Sequence, residues 1–287
     1  MFQIKPSHQW QNNLPTMYDL PSEDPEEPGL PDEFHALQPN LLSQTLRSPR
    51  HPREDCFLAT DLNLYFDVKN PRWYKRPDWF LVLDPVRGCE QQDLRWSYVI
   101  WQELISPFLV VELLSPGTES EDLGQTVREA NAPPTKWEVY EQILEIPYYV
   151  VYDRYVNEFR AFHLRGGRYQ ALALPDGRLW FEELELGLGV WQGRFDGVQG
   201  LWLRWYDRHD VWIPSLSERA EEQQQRAEEQ QQRAEEQQQR AEVQQQRADR
   251  AELDLEQERM RVEEERRKNQ ELRDRLLKMG IDPDRLS

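Results

Sequence analysis

The chain has 287 residues, and 35 Lys and Arg against 53 Asp and Glu give a net charge of −18 with His neutral. That length suffices for one sizeable domain with an appendage, or for two small ones. The acid excess argues against tight non-specific nucleic-acid binding, which arises when Lys and Arg displace counterions.

With Cys56 and Cys89 as the only cysteines, a disulfide framework and a four-cysteine zinc site are excluded. No run of about 18 apolar residues marks a membrane span. The opening MFQIKPSHQW lacks the charged-then-apolar layout of a secretory signal. A reducing, cytoplasmic location is the simplest expectation.

Residues 1–30 are rich in Pro, Asp and Glu and read as an irregular lead-in, because proline blocks helix interiors and charge resists burial. A helix is expected from Pro31 to Arg47. Asp32 can cap it, and Phe34, Leu37, Leu41, Leu42 and Leu46 recur at helical spacing. The next segment, SPRHPR, reads as a loop. Strands are then expected over Leu62–Val68, Trp79–Leu83, Tyr98–Ile105, Phe108–Leu114 and Tyr148–Tyr152, with a helix over Pro134–Ile143. The run FLVVELL is almost wholly apolar, as in a strand covered on both faces. Phe159–His163, Tyr169–Leu174 and Leu179–Trp180 suggest a meander with hairpin turns at Gly166-Gly167 and Asp176-Gly177. Trp-rich strands with Gly turns close the body. Few helices among many strands mean a mixed α+β fold.

From Ser217 the sequence changes. RAEEQQQ recurs every seven residues from Arg219, Arg226 and Arg233, with RAEVQQQ at Arg240. The segment is made of helix formers and has no Pro or Gly before Gly280. Glu222, Glu229 and Glu236 each precede an Arg by four residues, in the favourable order. A helix of about 60 residues, spanning roughly 90 Å, is expected. Ala and Gln make a poor seam in its first half. In the second half Leu255, Val262, Leu272, Leu276 and Met279 fall at a and d positions, with Asn269 as a register residue. The tail therefore reads either as a solvated single helix or as a weak coiled coil joining two or three chains. The expected division is residues 1–30, 31–214 and 215–287. The tail holds 15 basic and 20 acidic residues, which leaves −13 on the body.

Three residues stand out for chemistry. Asp78 follows Pro77 at the start of WFLVL, and Glu112 lies inside FLVVELL. A carboxylate within so apolar a strand is costly to bury unless it is paired, hydrogen-bonded or bound to metal. The bland alternative is a strand-end ion pair. Two acids, each beside a buried strand, can hold Mg²⁺, which needs one or two carboxylates plus water and phosphate oxygens. Lys136, at the first turn of the following helix, is the only Lys between Lys75 and Lys268. It is either a surface lysine, mildly unfavourable at a helix start, or an amine aimed at the same spot. The five histidines, at 8, 35, 51, 163 and 209, show no HExxH spacing. Nor is there a GxxxxGK loop or a GxSxG elbow.

An acid after Pro on one strand, an acid in a second buried strand, then a Lys resembles the PD-(D/E)XK nuclease pattern. The chain is similar to the Uma-two-type restriction endonuclease-like family, common in cyanobacteria. The stretches carrying the resemblance include YKRPDWFLVL, FLVVELLSPGTESEDLG and PPTKWEVYEQILEIPYYVVYD, and it spans roughly residues 15–215. It implies a restriction-endonuclease-like central mixed sheet with flanking helices. It also implies metal-assisted phosphodiester hydrolysis, with Asp78 and Glu112 as Mg²⁺ or Mn²⁺ ligands and Lys136 as the catalytic amine. The usual signature has its Lys two residues after the acid, where this chain has Leu114. Accessory candidates are Glu33 and Gln38 in the first helix and Asp61 at the opening of TDLNLYFDV.

A DNA surface is expected at Lys69, Arg72, Trp73, Tyr74, Lys75 and Arg76, directly before Asp78. Cations there would contact phosphates and the rings would stack on bases. Arg47, Arg50 and Arg53 would extend the path. The rival reading is an idle nuclease fold that acts as an interaction module through its tail.

Overall fold

The computed structural model describes residues 32–85, 90–91, 94–115, 117–126 and 132–280. The expected lead-in and Cys89 lie outside them. The chain divides into two units, 1–216 and 217–287.

The first unit is a mixed α+β fold, as expected. In chain order it holds α1 (Glu33–Thr45), β1 (Cys56–Thr60), β2 (Leu64–Tyr65), β3 (Tyr74–Lys75), β4 (Trp79–Leu83), β5 (Tyr98–Val99), α2 (Ile100–Glu103), β6 (Leu109–Leu113) and α3 (Glu119–Asp122). Then come α4 (Lys136–Glu138), which runs into a π-helical turn at Val139–Ile143, β7 (Tyr148–Asp153), β8 (Glu158–Arg165), β9 (Arg168–Ala171), β10 (Arg178–Phe181), β11 (Leu186–Phe195) and β12 (Val198–Tyr206). Asp32 caps α1 by accepting from the Phe34 and His35 N–H groups.

The central sheet runs β1-β4-β6-β7-β8-β9. Its pairs are antiparallel except β6 with β7. A parallel pair needs a crossover, and α3 and α4 lie within that connection.

Side chains alternate across the sheet. Trp79, Leu81, Leu109, Val111, Leu113, Val150 and Tyr152 share one core with α1 and with Trp202 and Trp205 of the β10-β11-β12 sheet. Phe80, Val82, Val110, Tyr149 and Val151 share the other with Tyr140, Leu64 and Tyr98. Each such side chain, fully buried, contributes about 1.5–3 kcal/mol. Glu112 has the parity of Val110, so it belongs to the second face.

Three expected elements differ. Leu62–Val68 pairs only at Leu64 and Tyr65, because its partners β3 and β5 are two residues long. The strand lies earlier, at β1, and Asp61 ends it with φ 52°, a conformation Asp tolerates. Tyr98–Ile105 leaves the ladder after Val99 for the same lack of partner and turns into α2. Asp176-Gly177 is no hairpin, since β9 and β10 belong to different sheets.

The described part of the second unit is dominated by one helix, α5, Leu216–Lys278, 63 residues long and about 95 Å at its rise per residue. Its repeats are tied by Gln224 donating to Glu228, Gln231 to Glu235, Gln238 to Glu242 and Gln245 to Asp249. The expected Glu222–Arg226 and Glu236–Arg240 pairs stand at 3.7 and 3.8 Å. No helix among the described residues is long and apolar enough to cross a membrane.

Candidate active site

The antiparallel register of β4 on β6 pairs Trp79 with Val111 and Phe80 with Val110. Carried back one residue, it sets Asp78 opposite Glu112, with both side chains on the second face. The backbone N–H of Leu113 donates to Asp78 Oδ2 at 2.6 Å. Glu112 is fully buried. Its Oε1 accepts from Tyr140 Oη at 2.8 Å and its Oε2 from Lys136 Nζ at 3.0 Å.

Lys136 and Tyr140 reach the same carboxylate because they are four residues apart, on one side of the turn that α4 begins. Thr135 starts that turn with a capping box, exchanging hydrogen bonds with Glu138. Trp137 fixes it from the other side, packing edge-on against Tyr149, Phe162 and Tyr169.

A third acid completes the group. Asp122 is 1% exposed, and its Oδ1 lies 2.8 Å from Lys136 Nζ. The contact is a close ion pair rather than an aligned hydrogen bond, because that oxygen has no hydrogen-bond partner among the described residues. Burial pushes the Glu112 carboxyl well up, and neighbouring Asp122 and Asp78 add to this, against the pull of Lys136 and Tyr140. Burial also raises Asp78, opposed by Lys136, His35 and the Leu113 N–H. Burial alone would lower the Lys136 ammonium, but Glu112, Asp122 and Asp78 outweigh it and hold the amine firmly protonated. Three acids therefore face one lysine. Among the described residues, no group of three or more His, Cys, Asp or Glu is arranged to hold a metal ion. A cation here must rely on two protein carboxylates, with water and phosphate oxygens filling its other positions.

His35, which lacks any motif spacing, also belongs to this end of the sheet. Its Nε2 is 3.0 Å from Leu113 O and 3.2 Å from Ser115 Oγ, and its Nδ1 is 2.9 Å from Asp32 Oδ1. Asp32 in turn pairs with Arg154. The first turn of α1 is thus docked on the end of β6. Neither His35 nor Asp122 has a sequence signal of its own. Asp122 lies in the stretch SPGTESEDLG, among three acids of which only the fold selects one.

The accessory candidates are elsewhere. Glu33 is exposed. Gln38 is fully buried and is not an accessory acid-like group, because both ends of its amide are bonded to the backbone of Leu203 at 2.8 and 2.9 Å. Asp61 opens no strand; it sits in the turn after β1 and pairs with Arg76 at 2.6 Å.

In the basic stretch Lys69 and Arg72 are exposed, and Tyr74 is 46% exposed beside Tyr65. Trp73 packs against the second core, and Lys75 is bound to Glu121 at 3.0 Å. The arginines expected to extend the path also meet the protein: Arg50 bonds Glu185, Arg47 the Leu46 carbonyl and Arg53 the Cys56 carbonyl.

A family model described as Uma2, "Putative restriction endonuclease", matches residues 5–195. No curated protein is a match to the chain. The matched span includes Asp78, Glu112, Asp122 and Lys136, and it stops short of α5. Covering about two thirds of the sequence, it bears out the resemblance seen in the stretches around the two acids and the lysine: the chain belongs to the Uma2 family of restriction endonuclease-like proteins.

Proposed function

We propose that the protein is a divalent-metal-dependent DNA endonuclease, with Asp78 and Glu112 holding Mg²⁺ or Mn²⁺ and Lys136 as the catalytic amine. The observation that carries this reading is the 3.0 Å contact of Lys136 Nζ with Glu112, made beside an acid from the neighbouring strand. The donor set fits a hard cation. A fully buried Glu112 and a half-buried Asp78 lie side by side, and the surplus of negative charge around one lysine is what a divalent ion relieves. Each oxygen of Glu112 accepts one hydrogen bond and keeps a second lone pair.

When bound, such an ion acidifies a water and neutralises charge at the scissile phosphate. The protein's own part is positional. The β4–β6 ladder sets the two acids side by side, and Tyr140 fixes the plane of the Glu112 carboxylate. Lys136 has three N–H donors. One goes to Glu112 and the close ion pair with Asp122 steadies the head group, which leaves a donor for a non-bridging phosphate oxygen whose charge grows during hydrolysis.

Lys69, Arg72 and Tyr74 supply the exposed part of the DNA contact, and the tail brings two or three chains together through Leu255, Val262, Leu272 and Leu276. A second reading, an idle fold that serves as an interaction module, is favoured by the internal pairing of Lys75 and Arg76. Incubation of supercoiled plasmid with Mg²⁺ or Mn²⁺ separates the two. Nicking or linearisation is expected, falling to background in Asp78→Ala and Glu112→Ala. No cleavage by the wild type selects the idle reading, and equal cleavage by all three removes the assigned site.

A further inference from the structure

We infer that Asp122 is a positioning residue, the anchor that lets a lysine borne on a different element serve the acid pair. The inference rests on the nuclease reading for its purpose, though not for its geometry. A lysine two residues beyond the acid would have its backbone fixed by the same strand. Here that position is Leu114, buried in the second core. Lys136 arrives instead from a helix 24 residues further on, at the end of a long flexible stem. An ammonium so placed stays on target only if it is held from more than one direction.

Glu112 holds it from one side at 3.0 Å and Asp122 from another at 2.8 Å. Asp122 is itself set from three directions. Its N–H donates to Thr118 O at 3.1 Å. Its carbonyl accepts from Tyr149 Oη at 2.9 Å. Two residues on, Gly124 adopts φ +70° and lies so close to the Trp137 ring that a Cβ would come within 2.7 Å of it. Only glycine permits that approach in that conformation. The loop carrying Asp122 is thereby packed directly on the residue next to Lys136. A carboxylate this buried is tolerated only because the lysine answers it, so the two groups constrain each other.

The test reads the amine directly and then the turnover, in the full chain. In metal-free protein the Lys136 side-chain ammonium, identified by its loss in Lys136→Arg, should give a slowly exchanging ¹H–¹⁵N signal. Asp122→Asn is expected to broaden that signal and to lower kcat about 10–100-fold with KM within about twofold, the effect of a misplaced group. Asp122→Glu is expected to restore a protected but shifted signal and an intermediate kcat. A wild-type signal and kcat in Asp122→Asn overturn the assignment. If Asp122→Asn does not fold, Asp122→Glu decides: an unshifted signal with wild-type kcat is equally fatal. Should the wild type cleave no DNA, the nuclease reading falls, and the ammonium signal alone decides whether Asp122 anchors Lys136.

Discussion

Leu113 donates its N–H to Asp78 Oδ2 at 2.6 Å, so the strand that carries one acid holds the other. The same residue is gripped at its other end, where Leu113 O meets His35 Nε2 at 3.0 Å. Glu112 is therefore built into the β4–β6 ladder, and Asp78, one residue before β4, is tied to the same ladder through Leu113. That rigidity suits a site whose groups must keep their places before a substrate arrives.

Rigidity of this kind is set against stability, and Asp78→Asn exposes the conflict. Burial raises the Asp78 carboxyl in the folded state. The fold then binds a proton more tightly than the unfolded chain, so stability falls as pH rises from the unfolded value of 3.8 through the raised folded value. Lys136 contributes no slope there, because its raised value keeps it charged in both states. Asparagine keeps an acceptor for the Leu113 N–H and removes the charge. In EDTA at neutral pH, Asp78→Asn should raise Tm by about 2–4 °C, the response to roughly 1 kcal/mol in a domain of this size. The gain should vanish near pH 4. Mn²⁺ should stabilise the wild type and leave the variant unmoved. A lower Tm in the variant in EDTA contradicts this account.

Gln38 separates structural from chemical roles in α1. Its amide closes two hydrogen bonds on the backbone of Leu203, clamping the helix to β12. Gln38→Leu leaves a buried N–H and a buried C=O unmatched, at about 1–3 kcal/mol each. Urea unfolding should show that loss, while cleavage per folded molecule stays at the wild-type level. A selective fall in kcat would return Gln38 to the site.

Why some of this was legible in the sequence and some was not follows from periodicity. FLVVELL and WFLVL announced buried strands, and one charge inside the first marked Glu112. Lys136 stood out because lysine is scarce in the body. Asp122 and His35 carry no such contrast: their roles depend on the crossover between β6 and β7 and on where α1 docks, both of them long-range events. The false strand at Leu62–Val68 shows the converse, since alternation creates a face to bury but not a partner to pair with. At α5 the composition foretold the helix but not that Gln-to-acid contacts, rather than Glu–Arg pairs alone, tie its repeats.

The basic stretch before Asp78 should prove unequal in its contribution to DNA affinity. Lys69 and Arg72 are exposed, whereas Lys75 and Arg76 are engaged by Glu121 and Asp61. In EDTA, Lys69→Ala and Arg72→Ala should each weaken binding and reduce the salt slope by about 1. Lys75→Ala and Arg76→Ala should change the slope less. Fluorescence anisotropy across a salt series measures both, and four equal slopes would show that the internal pairs open on binding.

The tail should divide into a spacer and a seam. Between Arg219 and Val243 the a and d positions are Ala and Gln, and the repeat is held by contacts within its own helix. Such a segment gains little from a partner, because burying Gln opposite Gln removes little apolar surface from water. Leu255, Val262, Leu272 and Met279 are exposed on the single helix, and their burial against a second copy is the only large gain open to it. By light scattering, the full chain should run as a dimer or trimer, and a chain ending at Leu216 as a monomer. Leu255→Asp with Leu272→Asp should match the truncated form in being monomeric, whereas Gln223→Glu with Gln230→Glu should leave the assembly intact. An assembly that survives loss of α5 would place self-association in the body instead.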